Sequence, residues 1–103
     1  MKTIMVIDDE TSILENIKQS LEKNEYNVIT AQTSKKALEL ISDEKEQDFG
    51  LILIDTVIPG SDTPALFSMK PQSKKNIDTT KEEDFLKKPF TKQELLEFVN
   101  NKV

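Results

Sequence analysis

Short apolar runs alternate with amphipathic stretches along the first half of the chain. Residues 2–7 and 51–54 are mostly apolar, which is typical of strands buried on both faces of a parallel sheet. A shorter run of the same kind covers residues 26–31. Between the runs, apolar residues recur at helical spacing and predict one helix over about residues 11–23 and a second helix with Ser34 as its N-cap. This order of strands and helices predicts a parallel sheet with crossover helices.

The pattern is less regular after residue 55. Residues 64–69 predict either a fourth strand or the start of a helix with Thr63 as N-cap. We favour the strand, because the polar residues 70–83 that follow contain no other candidate strand. Residues 85–87 predict a brief fifth strand. A final helix then begins at a capping box formed by Thr91 and Glu94.

Composition narrows the classes of function. The chain has 103 residues, enough for one domain, and we expect residues 1–103 to form a single domain with no output domain after it. A net charge of −5 argues against binding to nucleic acid or to an anionic membrane. We find neither a signal peptide nor an apolar run that would span a membrane, so we expect a cytoplasmic protein. Cysteine and histidine are both absent, which excludes disulfides, Ser-His-Asp catalysis and histidine-ligated zinc.

The groups that could carry chemistry lie at predicted strand ends. Asp8 and Asp9 follow the first strand, Asp55 ends the third, Ser68 ends the fourth and Lys88 follows the fifth. The carboxyl ends of parallel strands meet at one edge of a sheet, so these side chains are expected to converge. Crowded carboxylates repel one another unless a cation lies between them, and oxygen ligands favour Mg²⁺, Mn²⁺ or Ca²⁺. A facing lysine completes a site suited to a phosphoryl group.

Further signals accompany this set, namely Pro59-Gly60 just beyond Asp55, an aromatic Phe85, and Lys88-Pro89-Phe90. With them the chain resembles a response-regulator receiver domain of the two-component signalling family. The resemblance implies a flavodoxin-like doubly wound parallel α/β sheet with strand order 2-1-3-4-5. It also implies that Asp55 accepts a phosphoryl group from a histidine kinase or a phosphotransfer protein.

The resemblance assigns further roles within the site. Asp9 and Asp55 would bind Mg²⁺ directly (Mn²⁺ is an alternative), Asp8 would bind it through water, and the backbone carbonyl of Val57 would be a further ligand. Lys88 would bind the phosphoryl group, and its peptide bond to Pro89 would be cis. Ser68 would be the hydroxyl that switches with phosphorylation, and Phe85 the aromatic side chain that reports it.

The middle of the chain departs from the family pattern. Lys88 follows Asp55 by 33 residues, where the family has about fifty, so residues 56–84 lack about one helix and its loop. Either the third helix is missing, or residues 64–70 are that helix and the fourth strand is missing. Both alternatives leave one face of the sheet poorly covered, and Leu66, Phe67 and Met69 could then pack against a second copy as a homodimer.

Three functions follow from these patterns. The first is a stand-alone receiver that is phosphorylated at Asp55 and signals by contact with a downstream protein. The second is a non-phosphorylated pseudo-receiver that works as an interaction or dimerisation module. The third, a metal-dependent phosphatase, has less support, because the chain shows no second catalytic base and no Gly-rich phosphate loop. We therefore expect no dedicated enzyme, only Mg²⁺-dependent self-phosphorylation and dephosphorylation.

Overall fold

The computed structural model describes residues 2–43, 49–69 and 84–103, and five strands and three helices lie within these ranges. In chain order they are β1 (Thr3–Ile7), α1 (Thr11–Glu22), β2 (Asn27–Ala31), α2 (Ser34–Asp43), β3 (Phe49–Val57), β4 (Pro64–Met69), β5 (Phe85–Lys87) and α3 (Lys92–Lys102). The predicted character of residues 70–83 lies outside the described residues.

All five strands form one sheet in the order β2-β1-β3-β4-β5. This confirms the predicted strand order and the flavodoxin-like α/β fold. The strand β1 runs parallel to both β2 and β3, as predicted. The strand β4, however, runs antiparallel to both β3 and β5, so the sheet is mixed and not wholly parallel.

The short connection between β3 and β4 explains this reversal. Only residues 58–63 join the two strands, whereas a parallel crossover needs about a dozen residues or more. The chain turns back at once, with the Ile58 N–H donating to the Thr63 carbonyl at 3.0 Å. Gly60 has a φ of +82°, which a residue with a side chain rarely adopts. Residues 64–69 therefore form the predicted strand, and the missing element is the helix between β3 and β4.

Side chains of the strands alternate between two cores. One face of the sheet packs against α1 and α3. The buried residues of this core, from the strands and from both helices, are Ile4, Val6, Leu14, Ile17, Leu21, Leu51, Leu53, Leu66, Leu95 and Val99. On the other face Met5, Ala31 and Ile52 pack against Ala37 of α2. This alternation along β1 and β3 is the period of two that buried strands require.

The ends of the helices follow from local hydrogen bonds. The Thr91 hydroxyl accepts from the Glu94 N–H at 3.1 Å, and the Glu94 carboxylate accepts from the Thr91 N–H at 3.0 Å. The predicted capping box is therefore confirmed. At α2 the capping side chain is Thr33, which accepts from the Lys36 N–H, and not the predicted Ser34. Among the described residues, no helix is long and apolar enough to cross a membrane.

Leu66 and Met69 offer a matched test of this packing, because they lie on the same strand. Leu66 is fully buried, whereas Met69 is 40% exposed. We expect Leu66→Ala to lower the free energy of unfolding by about 2–5 kcal/mol, since it leaves a cavity in the core. Met69→Ala should lower it by less than about 1 kcal/mol. Urea denaturation measures both values, and equal losses would contradict the described orientation of β4.

Candidate functional site

The register of the sheet places Asp8 and Asp55 side by side. The last paired residues of β1 and β3 are Ile7 and Ile54, so Asp8 and Asp55 are the next residues on two neighbouring strands. Neighbouring strands lie about 4.8 Å apart. The predicted convergence of these two carboxylates therefore follows directly from the parallel pairing of β1 with β3.

Asp9 joins the same cluster. Carboxylate oxygens of Asp8, Asp9 and Asp55 all lie within 4.8 Å of one another. Asp8 is buried, Asp9 is exposed, and the Asp55 side chain is 32% exposed. Two oxygens on opposite sides of one Mg²⁺ ion lie about 4.2 Å apart. The three carboxylates thus fit a hard divalent cation after a small adjustment of side chains or through a bridging water.

Lys88 supplies the positive charge within the cluster. Its Nζ atom lies 2.5 Å from Asp55 Oδ1 and 3.2 Å from Asp8 Oδ2. The other oxygen of Asp8 accepts a hydrogen bond from the Glu10 N–H at 3.0 Å. Because a buried carboxylate is stable only when it is paired and hydrogen-bonded, these contacts explain how Asp8 tolerates full burial of its side chain.

The same contacts fix the charge of the lysine. Burial of Lys88 disfavours its charged form, but the hydrogen bonds and negative charges of Asp55 and Asp8 outweigh that effect and raise its pKa above the ordinary value. Lys88 is therefore an ammonium at neutral pH, able to donate to anionic oxygens.

Backbone contacts on both sides hold Lys88 at this edge. It directly follows β5, and its N–H donates to the Pro64 carbonyl at 2.9 Å. The Lys88–Pro89 peptide bond is cis, as the family resemblance implies. The capping box of α3 begins two residues after Pro89, at Thr91. The sequence did not indicate the part played by Pro64, which reaches this edge only because β4 is reversed.

The backbone carbonyl of Val57, a predicted metal ligand, faces away from β4. Val57 lies opposite Pro64 in the ladder, and the Pro64 carbonyl faces β5, where it accepts from Lys88. Hydrogen-bonded and non-bonded pairs alternate along an antiparallel ladder. The Val57–Pro64 pair is thus a non-bonded one, and the Val57 carbonyl points away from β4, to the side where β1 ends and Asp8 and Asp9 lie.

The structure corrects the predicted placement of Ser68. In the reversed β4 it lies opposite Leu53, whereas Leu66 is the residue opposite Asp55. Ser68 is therefore two positions further from the acidic edge than Leu66. Its hydroxyl is buried and donates to the Asp84 carbonyl at 3.1 Å. The expectation that Ser68 faces the site assumed a parallel β4, and the short connection with Pro59-Gly60 was the signal that could have excluded it.

Phe85 lies in β5 and is half-buried. Its ring packs against the ring of Phe67 on the neighbouring strand, with centroids 5.0 Å apart and planes tilted by 34°. Phe67 and Phe85 are paired residues of β4 and β5, so ordinary aromatic packing across the two strands explains the position of the Phe85 ring. A role as a switch stays a prediction.

Two of the three aspartates in the acidic cluster are open to solvent. A cavity of about 490 Å³ lies nearby, between the first turns of α1 and α2, but its lining includes Thr11, Thr30 and Lys36 and none of the three aspartates. Asp9 and Asp55 remain accessible from solvent. Such an edge suits a reactive group carried by another macromolecule or by a small donor.

Comparison with known proteins identifies the family. Residues 4–79 match the family described as response regulator receiver domain. This stretch includes the three aspartates and ends before Lys88.

Individual relatives agree with this match. The chain is 30% identical to the phosphate regulon transcriptional regulatory protein PhoB of Pseudomonas aeruginosa, over 92% of this chain and 48% of the relative. It is 28% identical to the transcriptional regulatory protein YrkP of Bacillus subtilis, over 89% of this chain and 45% of the relative. The chain thus spans about half the length of these relatives.

A solved structure also resembles this fold. The crystal structure of a response regulator receiver domain protein from Clostridium thermocellum superposes with a TM-score of 0.51 and 32% identity, covering 60% of this chain and 48% of that one. Sequence, strand order and site geometry therefore lead to one conclusion: the chain belongs to the response regulator receiver domain family of two-component signalling.

Proposed function

We propose that this receiver accepts a phosphoryl group on Asp55 in a Mg²⁺-dependent reaction. The phosphodonor is a histidine kinase or a phosphotransfer protein, and the phosphorylated chain signals by contact with a downstream protein. The observation that supports this proposal best is the gathering of Asp8, Asp9 and Asp55 around the ammonium of Lys88.

The residues present can carry the transfer. A carboxylate oxygen of Asp55 attacks the phosphorus of the donor and forms an acyl phosphate. The bond from phosphorus to the donor atom breaks, and its electron pair leaves with the donor. Lys88, already 2.5 Å from Asp55, donates hydrogen bonds to the phosphoryl oxygens.

Asp9, Asp55 and the Val57 carbonyl are the groups that would hold Mg²⁺, with Asp8 contributing through water. The ion, when bound, neutralises charge on the phosphoryl oxygens during transfer. The phosphoryl group adds about −1.5 to −2 charge. Lys88 then contacts the phosphoryl group in addition to Asp8. The contacts of Lys88 therefore differ between the unphosphorylated and the phosphorylated protein.

We propose no further catalytic activity. The reaction of this site is limited to phosphorylation and dephosphorylation of Asp55 itself. We also propose that the protein acts in the cytoplasm, where histidine kinases transfer their phosphoryl groups.

Treatment with a small acyl phosphate and Mg²⁺ tests this proposal. We expect the intact protein to gain the mass of one phosphoryl group, and Asp55→Asn to gain none, because the amide lacks the nucleophilic oxygen anion. Asp62→Asn is a matched control, since Asp62 is an exposed aspartate in the turn after β3 and should not alter the gain. Mass spectrometry of the intact proteins measures the adduct. If the unchanged protein gains no mass, or if Asp55→Asn gains as much as it does, the proposal is wrong.

The second candidate is a pseudo-receiver that is never phosphorylated and acts as an interaction or dimerisation module. One observation favours it. Reversal of β4 places Ser68 away from the acidic edge, so the described part of β4 brings no hydroxyl to the site. Partly exposed apolar side chains such as Val57 and Met69 are compatible with a second copy, which a measurement of mass in solution would detect.

Titration with Mg²⁺ separates the two candidates. We expect the receiver to bind the ion, and Asp9→Asn to weaken binding by at least about tenfold because it removes a ligand charge. Glu10→Gln is the matched control, since Glu10 is exposed and adjacent but lies outside the cluster. Calorimetry gives both affinities. Absence of binding in the unchanged protein favours the pseudo-receiver.

A further inference from the structure

Asp84 joins three elements at the end of the sheet away from the acidic cluster. It immediately precedes β5. Its backbone carbonyl accepts from the Ser68 hydroxyl of β4 at 3.1 Å. Its carboxylate lies 2.9 Å from the Nζ atom of Lys102, the last residue of α3. Asp84 therefore holds both β4 and α3 against the start of β5.

These contacts are partly shielded from water. The side chains of Lys102 and Asp84 are 21% and 28% exposed, and Ser68 is buried. The Lys102 ammonium also lies 5.8 Å from the centre of the Phe98 ring, in the range of a cation–π contact. An ion pair of this kind is screened less than one between fully exposed side chains, and it holds a more fixed geometry.

Lys88 and Asp84 flank the same short strand. Only the three residues of β5 separate them, a span of about 13 Å along the strand. The Lys88 N–H is tied to the Pro64 carbonyl at one end of β4, and the Asp84 carbonyl is tied to Ser68 near the other end. The two ends of β5 are thus fixed to β4 as one unit.

The helix α3 returns along this strand. It begins four residues after Lys88 and ends at Lys102. The Lys102–Asp84 ion pair therefore closes a loop in which β5 is one side and α3 the other. Lys88 lies between the end of β5 and the start of α3. At the other end of this loop, the Lys102–Asp84 ion pair is the polar contact between the residue before β5 and the last turn of α3.

We propose that Asp84 transmits a change in the contacts of Lys88 to the last turn of α3 through its ion pair with Lys102. The proposal rests on the proposed function in one respect, namely that phosphorylation is the natural event that changes those contacts. By this ion pair, phosphorylation at the acidic edge could affect α3 without a hydroxyl of β4 at that edge. Asp84 and Lys102 are positioning residues in this account, and Ser68 acts by fixing Asp84.

The test uses Asp55→Asn to change the contacts of Lys88 without metal or phosphate. Amide NMR shifts of residues 99–103 are measured in the unchanged protein, Asp55→Asn, Lys102→Met and the double variant. We expect Asp55→Asn to displace these shifts when Lys102 is present, and the displacement to fall at least about threefold in the Lys102→Met background, because coupled sites are not additive. Lys92→Met, at the exposed start of α3, should leave the displacement intact.

The outcomes separate coupling from mere stabilisation. If the ion pair only stabilises α3, Lys102→Met alters the starting shifts but leaves the Asp55→Asn displacement unchanged, and the proposal is overturned. Asp84→Asn repeats the test with the backbone carbonyl intact, should Lys102→Met fold poorly. An intact coupling together with no adduct on Asp55 rejects the proposed function alone, whereas an adduct with additive shifts rejects this inference alone.

Discussion

The site depends on one electrostatic constraint, which is that three carboxylates at one edge of a sheet need a cation among them. In this structure the cation is the Lys88 ammonium, held between Asp55 and the buried Asp8. Because the lysine comes from the far end of the chain, its ion pairs also join the first strand to the last. The same constraint makes the edge receptive to Mg²⁺ and to a phosphoryl group, since each brings a charge that redistributes these contacts.

Loss of a crossover helix reverses the direction of the strand that follows it and so changes which of its residues lie near the site. The six residues between β3 and β4 permit only a turn, so β4 runs backwards while keeping its place in the strand order. Its first residue, Pro64, now holds the backbone of Lys88, and Ser68 is moved to the opposite end, where it holds Asp84. The reversed strand thus supports β5 at both ends, although it brings no hydroxyl of its own to the acidic edge.

Much of this arrangement could be predicted from local signals. The apolar runs before Asp8 and Asp55 predict parallel strands, and parallel pairing alone brings the two carboxylates together. Thr91 and Glu94 predict the start of α3 by a capping box, which depends only on neighbouring residues. The direction of β4 was missed, because alternation of apolar residues is the same for either direction and only the length of the preceding connection distinguishes them. The Asp84–Lys102 ion pair joins residues whose proximity depends on how α3 packs, so no local pattern indicates it.

Paramagnetic broadening by Mn²⁺, used in place of Mg²⁺, tests the central geometry most directly. The account predicts that the ion broadens the amide signals of Asp9, Val57 and Lys88 first, because all three lie at the acidic edge, while the signals of Ser68 and Asp84 persist to higher concentrations. Early loss of the Ser68 signal together with that of Val57, or a Lys88 signal that is unaffected throughout, would contradict it.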